Sequence, residues 1–245
     1  MNNSTSKPSA RWPTTWPPDS FRLGPTALLI AAILIAGSVV LFGGILWMHA
    51  TNTGIIPGAI VVQLVLEVLI VAIIIAALPK VSGFPLAELG FRALRPSDVL
   101  YGLLGAVAML VIVQGSSTLL DTLTHQVHEQ QVIELFKQLR SPSTMWFFAV
   151  FAAVVAPIAE ETIFRVFLFN AAMRYGGFWI GAIVSGICFG AVHGDAYAFL
   201  PLALGGMVLC YVYYRSGNAF SSMISHGLFN AVTLVAIVFF PKLAQ

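Results

Sequence analysis

The feature that most constrains this chain is a succession of apolar stretches, most of them close to twenty residues or longer, with few charges inside them. A hydrocarbon core of about 30 Å is crossed by about 20 helical residues rising ~1.5 Å each, so every such stretch is a candidate span. Reading along the chain places spans at residues 24–47, 54–78, 99–120, 145–172, 178–192, 197–214 and 219–240. Lipid offers no hydrogen bonds, so each span must satisfy its own backbone, and all are expected to be helices. The expected fold is all-α: a polytopic transmembrane helical bundle of about seven to eight spans enclosing an intramembrane polar cavity. The span at 178–192 is short and can stop inside the membrane where protein surrounds its end.

Composition agrees. Hydrophobic residues make up 58% of the 245 positions and charged residues 9%, against about 25% charged in an average soluble domain. A polar tail at 1–23, interfacial or disordered, is followed by one transmembrane domain at 24–245. The tail lacks a small-residue cleavage site before the first apolar run, so no removable signal peptide is expected. The net charge of +2 is carried by scattered basic residues, which excludes a nucleic-acid surface. Cys188 and Cys210 fall within apolar runs and read as small buried hydrophobes.

With seven spans and the amino terminus inside, the inner face receives Lys7, Arg11, Arg22, Lys80, Arg92, Arg95, Arg174 and Arg215, and the outer face Lys137, Arg140 and Lys242. The positive-inside rule then assigns a cytoplasmic amino terminus, in what is expected to be a bacterial plasma membrane. Two connections exceed simple turns. Residues 79–98 are punctuated by Gly83, Pro85, Gly90 and Pro96, as an ordered loop or short helix would be. Residues 121–143 carry Val132, Phe136 and Leu139 at helical spacing among polar residues. That pattern describes an amphipathic helix on the membrane, a lid or substrate guide, with a solvated linker as the plainer alternative.

A charge at the bilayer centre costs at least about 2.5 kcal/mol, so each ionisable residue inside a span needs a reason. Glu67 sits alone in the second span, Glu160, Glu161 and Arg165 fall together in the fourth, His193 ends the fifth, and His226 lies in the seventh. Neighbouring helical residues point about 100° apart, so Glu160 and Glu161 face different partners. Arg165, four residues after Glu161, neutralises it in the favourable orientation, leaving Glu160 free. Pro157 removes a backbone donor just before them and can kink the helix to open space. Gly186 and Gly190 form a small-residue ridge that continues into His193, so a packing face also delivers an imidazole. Asp195 follows near the membrane edge and reads as a solvated loop residue. His226 and Asn230, four apart, share one helical face.

Each of these polar residues alone is accounted for by packing or interhelical hydrogen bonding. Together they hold the parts needed to hydrolyse a peptide bond. Glu160 can act as general base on a water, which His193 can position. His226 and Asn230 can donate hydrogen bonds to the developing oxyanion.

Three motifs now stand in order: Glu160-Glu161-Thr162-Ile163-Phe164-Arg165 as EExxxR, Phe189-Gly190-Ala191-Val192-His193 as FxxxH, and His226-Gly227-Leu228-Phe229-Asn230 as HxxxN. In these the chain resembles the CAAX protease and bacteriocin-processing family, over a catalytic core at about 145–240, and residues 86–100 resemble that family's Gly-Leu-Arg preamble. The resemblance implies an intramembrane endopeptidase acting on a membrane protein or lipidated peptide, with Glu160 and His193 activating water, His226 and Asn230 forming the oxyanion hole, and Glu161 and Arg165 in support. It also brings the label metalloprotease. Glu160, His193 and His226 can supply a two-histidine, one-carboxylate zinc site. No HExxH pair lies on one helix, however, and Asn230 stands where a second helical ligand would be expected, so the favoured mechanism needs no cofactor. Two other classes remain open: a proton- or cation-coupled transporter or channel using Glu67, Glu160 and the histidines, and a non-catalytic immunity-type membrane protein. No inverted repeat supports the transporter.

Overall fold

A computed structural model describes residues 19–51, 54–125, 131–139 and 141–239. The tail through residue 18, and with it Lys7 and Arg11, lies outside the described residues, as do Arg140 and Lys242. Among the described residues the regular structure is entirely helical: α1 (Leu23–Thr51), α2 (Ile55–Ser82), α3 (Pro96–Thr124), α4 (Gln131–Gln138), α5 (Pro142–Val150), α6 (Ala156–Glu161), α7 (Asn170–Val192), α8 (Phe199–Ser216) and α9 (Ala219–Phe239). Two π-helical segments, Phe151–Val155 and Thr162–Phe169, join α5 to α6 and α6 to α7.

Among the described residues, five stretches are long and apolar enough to cross a membrane: Leu23–Thr51, Gly58–Ser82, Pro96–Thr124, Pro142–Val192 and Ala219–Phe239. The protein is an integral membrane protein with an all-α fold. The fourth stretch is two spans in one, because Gly176 and Gly177 leave helical geometry at φ −147° and +70° and turn the chain back. That break falls in the gap expected between 172 and 178. The sixth expected span is α8, which is shorter and mostly buried because α3, α7 and α9 pack around it. α1 contacts the bundle chiefly through α2, and Leu28, Leu34, Ile35, Val39 and Phe42 are exposed along it. In water an apolar surface of that extent marks an interaction site; here lipid is the partner.

Helices approach closely where glycines permit it. A Cβ on Gly186 would meet the Ala203 carbonyl at 2.6 Å, and one on Gly190 the Phe199 carbonyl at 2.5 Å, so the ridge read from the sequence is the α7–α8 contact. Gly206 answers from α8, its missing Cβ lying 3.0 Å from the Gly186 Cα and 3.3 Å from an Arg165 nitrogen. Without a hydrophobic driving force between helices in lipid, such van der Waals closeness is a main source of association.

The loop at 83–95 is a clamp. Arg92 forms a bidentate pair with buried Asp98, at 3.0 and 3.1 Å, and also donates to the Ser216 and Gly217 carbonyls at the end of α8. Asn218 adds a 3.1 Å bond to Asp98. Gly90 holds φ +101° and accepts from the Ala219 amide at 2.9 Å, a position where a side chain would collide with that amide. The preamble motif thus ties the start of α3 to the α8–α9 turn, which orients α9. The tail also enters the core earlier than expected. Phe21 is fully buried, donates its amide to Val81 and accepts from the Tyr175 hydroxyl at 2.7 Å.

α4 is shorter than the span 121–143 suggested, because α3 continues to Thr124. Phe136 and Leu139 are buried against Phe148, Ile60 and Ile237, so its apolar face covers one end of the bundle.

Replacing Arg92 with Met leaves Asp98 buried without its cation. Breaking a buried pair in this way costs about 3 to 5 kcal/mol, and R92M is expected to unfold at clearly lower temperature than wild type in detergent. An unchanged midpoint would show that the clamp does not hold α9.

Candidate active site

The π-helical segments are the local structure on which the site is built. Pro157 has no N–H and cannot bond the carbonyl four residues back, that of Ala153. The chain widens there into the π-helical turn at 151–155 instead of the simple kink expected. The widened carbonyls find partners on neighbouring helices: Asn230 Nδ2 donates to the Ala152 carbonyl at 2.7 Å, and Gly227 packs where a Cβ would sit 2.5 Å from the Ala153 oxygen. The second π-helical segment follows the same logic, with Ser185 Oγ donating to the Phe164 carbonyl at 2.8 Å.

Between these segments α6 carries the carboxylates. Glu161 is fully buried and lies 3.0 Å from Arg165 Nη1, the pair expected from the i, i+4 spacing. Arg165 is equally buried, donates to the Gly206 carbonyl at 3.1 Å and stacks its guanidinium 4.5 Å from the centroid of Phe189. Glu161 also has a second partner that spacing along the chain does not reveal: His226 Nδ1 donates to its Oε1 at 3.0 Å. One carboxylate therefore holds a cation on its own helix and an imidazole from α9. Fixing Nδ1–H in this way orients the ring and directs Nε2 toward Glu160, whose Oε2 is 3.8 Å away.

Glu160 is mostly buried, and its Oε2 has no hydrogen-bond partner among the described residues. It faces a cavity of about 350 Å³ lined also by His193, His226, Asn230 and Phe189. His193 caps α7, and its Nδ1 bonds the Phe189 carbonyl at 2.7 Å, which leaves Nε2 as the free ring nitrogen. The structure thus brings Glu160, His193, His226 and Asn230 to one cavity and places Glu161 and Arg165 behind it. Asp195 stands apart: its Oδ1 accepts from the Tyr197 and Ala198 amides at 3.0 and 3.1 Å and orders the turn that leads into α8, so it is structural and not merely solvated.

Two further residues share the cavity, one of which the sequence pointed to only through the alternative ion path. Glu67 and Gln63 of α2 line the same space, joined by a 2.8 Å bond from Gln63 Nε2 to Glu67 Oε1. Their signal was the i, i+4 spacing of two polar side chains on one face of an apolar span. The remaining wall is largely apolar and includes Ile60, Phe148, Phe151, Leu234 and Ile237.

Both imidazoles have Nδ1 engaged and Nε2 free, the tautomer a metal-binding histidine adopts. The spacing does not complete the fit. Among the described residues no group of three His, Cys, Asp or Glu side chains stands close enough together to hold an ion, so no step below is routed through zinc.

The structure is an all-helical membrane bundle in which carboxylate, imidazole and carboxamide groups converge on one cavity. Comparison with known proteins agrees at the level of family. Residues 142–232, which hold all three motifs, match the family "Type II CAAX prenyl endopeptidase Rce1-like", bearing out the resemblance read from those motifs. A curated protein of Bacillus subtilis (strain 168), "Putative membrane peptidase YdiL", is 27% identical over 86 residues, and the match spans 35% of each chain. No solved structure matches.

The geometry separates the two adjacent glutamates by their effect on folding. Glu161→Gln leaves Arg165 buried without its anion and is expected to cost about 3 to 5 kcal/mol, whereas Glu160→Gln removes a charge that has no hydrogen-bond partner and costs less than about 1 kcal/mol. Thermal unfolding of the two variants in one detergent checks this, and equal losses would contradict the division of roles.

Proposed function

We propose that the protein is an intramembrane endopeptidase that hydrolyses peptide bonds of membrane-associated proteins or lipidated peptides, with its amino terminus on the cytoplasmic side of a bacterial plasma membrane. The observation that carries this reading is the convergence of Glu160, His193, His226 and Asn230 on one cavity inside the bundle. The Rce1-like match over the same residues supports it.

The roles follow from the hydrogen bonds. Glu160 takes a proton from a water held between its carboxylate and the imidazoles, and the hydroxide attacks the scissile carbonyl carbon. His193, fixed by the Phe189 carbonyl, turns Nε2 to that water. Charge that develops on the carbonyl oxygen is met by His226, which Glu161 orients through Nδ1, and by the second Nδ2 hydrogen of Asn230. The carbon–nitrogen bond then breaks as Glu160 returns its proton to the leaving amine. Asn230 is thus held for this task by the Ala152 carbonyl.

Purified full-length protein in detergent is expected to cleave a membrane-associated peptide, and Glu160→Gln to lower kcat by about 10²–10⁴, the usual worth of a positioned general base. Turnover by the variant equal to wild type would sink the general-base role. Loss of activity on exhaustive chelation, restored by zinc, would replace the metal-free scheme with a zinc-dependent one.

A further inference from the structure

Glu67 is the buried acid that the proposed chemistry leaves unused. It lies in the middle of an apolar span, only 4% exposed, where a carboxyl group is costly without a compensating partner. Elsewhere the fold pairs its buried acids with cations: Asp98 with Arg92, and Glu161 with Arg165. Glu67 receives one hydrogen bond, from Gln63 to Oε1, while its Oε2 is shielded and has no hydrogen-bond partner among the described residues. Glu160 Oε2 is in the same condition. Both residues line the one cavity, and α2 packs against α6.

Two acceptors without donors, in a space otherwise walled by Ile60, Phe148, Phe151, Leu234 and Ile237, describe what the occupant must bring. Apolar groups fill most of the cavity, whose volume is at the small end of the ligand-pocket range of roughly 300–1,000 Å³. A compact set of N–H donors, preferably cationic, meets Glu67. The geometry points to Glu67 and Gln63 as a substrate subsite beside the catalytic carboxylate, which receives the basic side chain of a lysine or arginine close to the scissile bond. Gln63 bonds Oε1 and thereby fixes the Glu67 carboxyl group in the cavity wall. The subsite rests on the endopeptidase reading for its substrate, although binding to it needs no turnover.

The test uses full-length protein in detergent with pairs of internally quenched peptides that carry lysine or norleucine at successive positions around the cleaved bond. At one position wild type is expected to prefer lysine by about tenfold or more in kcat/KM, mostly through KM, because a buried acceptor left unfilled disfavours the neutral analogue. Glu67→Gln is expected to bring that ratio close to one, and Glu67→Asp to restore part of it. A wild-type enzyme that cleaves without preference at every position, or a Glu67→Gln variant that keeps the preference, overturns the subsite. A second arm measures peptide affinity by fluorescence competition in the Glu160→Gln background, with and without Glu67→Gln. Lysine-selective binding that depends on Glu67 without any cleavage by wild type would retain the subsite and overturn the endopeptidase reading. Neither cleavage nor selective binding would overturn both.

Discussion

The buried Arg165–Glu161 pair, together with the His226 imidazole that bonds the same carboxylate, is the interaction on which the rest of the interior depends. Arg165 is fully enclosed, and in a low-dielectric interior such a group is tolerated only when its charge is matched. Glu161 matches it from the same helix, the Gly206 carbonyl takes one of its donors, and Phe189 offers the face of its ring. Each of these contacts requires something of another helix: a glycine at 206 on α8, an aromatic at 189 on α7, and an imidazole at 226 on α9. The charge centre thereby sets how four helical segments meet.

Its effect reaches the cavity because Glu161 holds two partners. By accepting from His226 Nδ1 it fixes which ring nitrogen faces Glu160. The two glutamates, adjacent in sequence, therefore divide into one that stabilises the bundle and one that is free for chemistry. Asn230 is set by a different device, the carbonyl made available in the π-helical turn before Pro157. The Arg92 clamp fixes α9 from the other end, so His226 and Asn230 stand on a helix held at two levels.

Much of this was legible before any coordinates. Apolar runs located the helices, the i, i+4 spacing paired Glu161 with Arg165, and the Gly186–Gly190 ridge marked the α7–α8 contact. These are local properties, set by periodicity within one segment. The second partner of Glu161 was not legible, because His226 lies on another helix and no spacing along the chain connects them. The same holds for Phe21, whose burial depends on Val81 and Tyr175, and for Asp195, whose role depends on the start of α8. Glu67 was visible as an isolated acid, but its place in the cavity depends on how α2 packs against α6.

By itself the sequence determined that the chain lives in a membrane and that three polar motifs interrupt its apolar helices, since the cost of burying each polar residue in lipid is paid locally and shows residue by residue. Only the tertiary structure decided which of those residues share a space and which atoms within them are free. Hydrogen bonds between helices are directional and have few available partners. Once Arg165 pairs with Glu161, His226 bonds the same carboxylate, and Ala152 holds Asn230, the carboxyl groups of Glu160 and Glu67 and the Nε2 edges of the two histidines are left to the cavity.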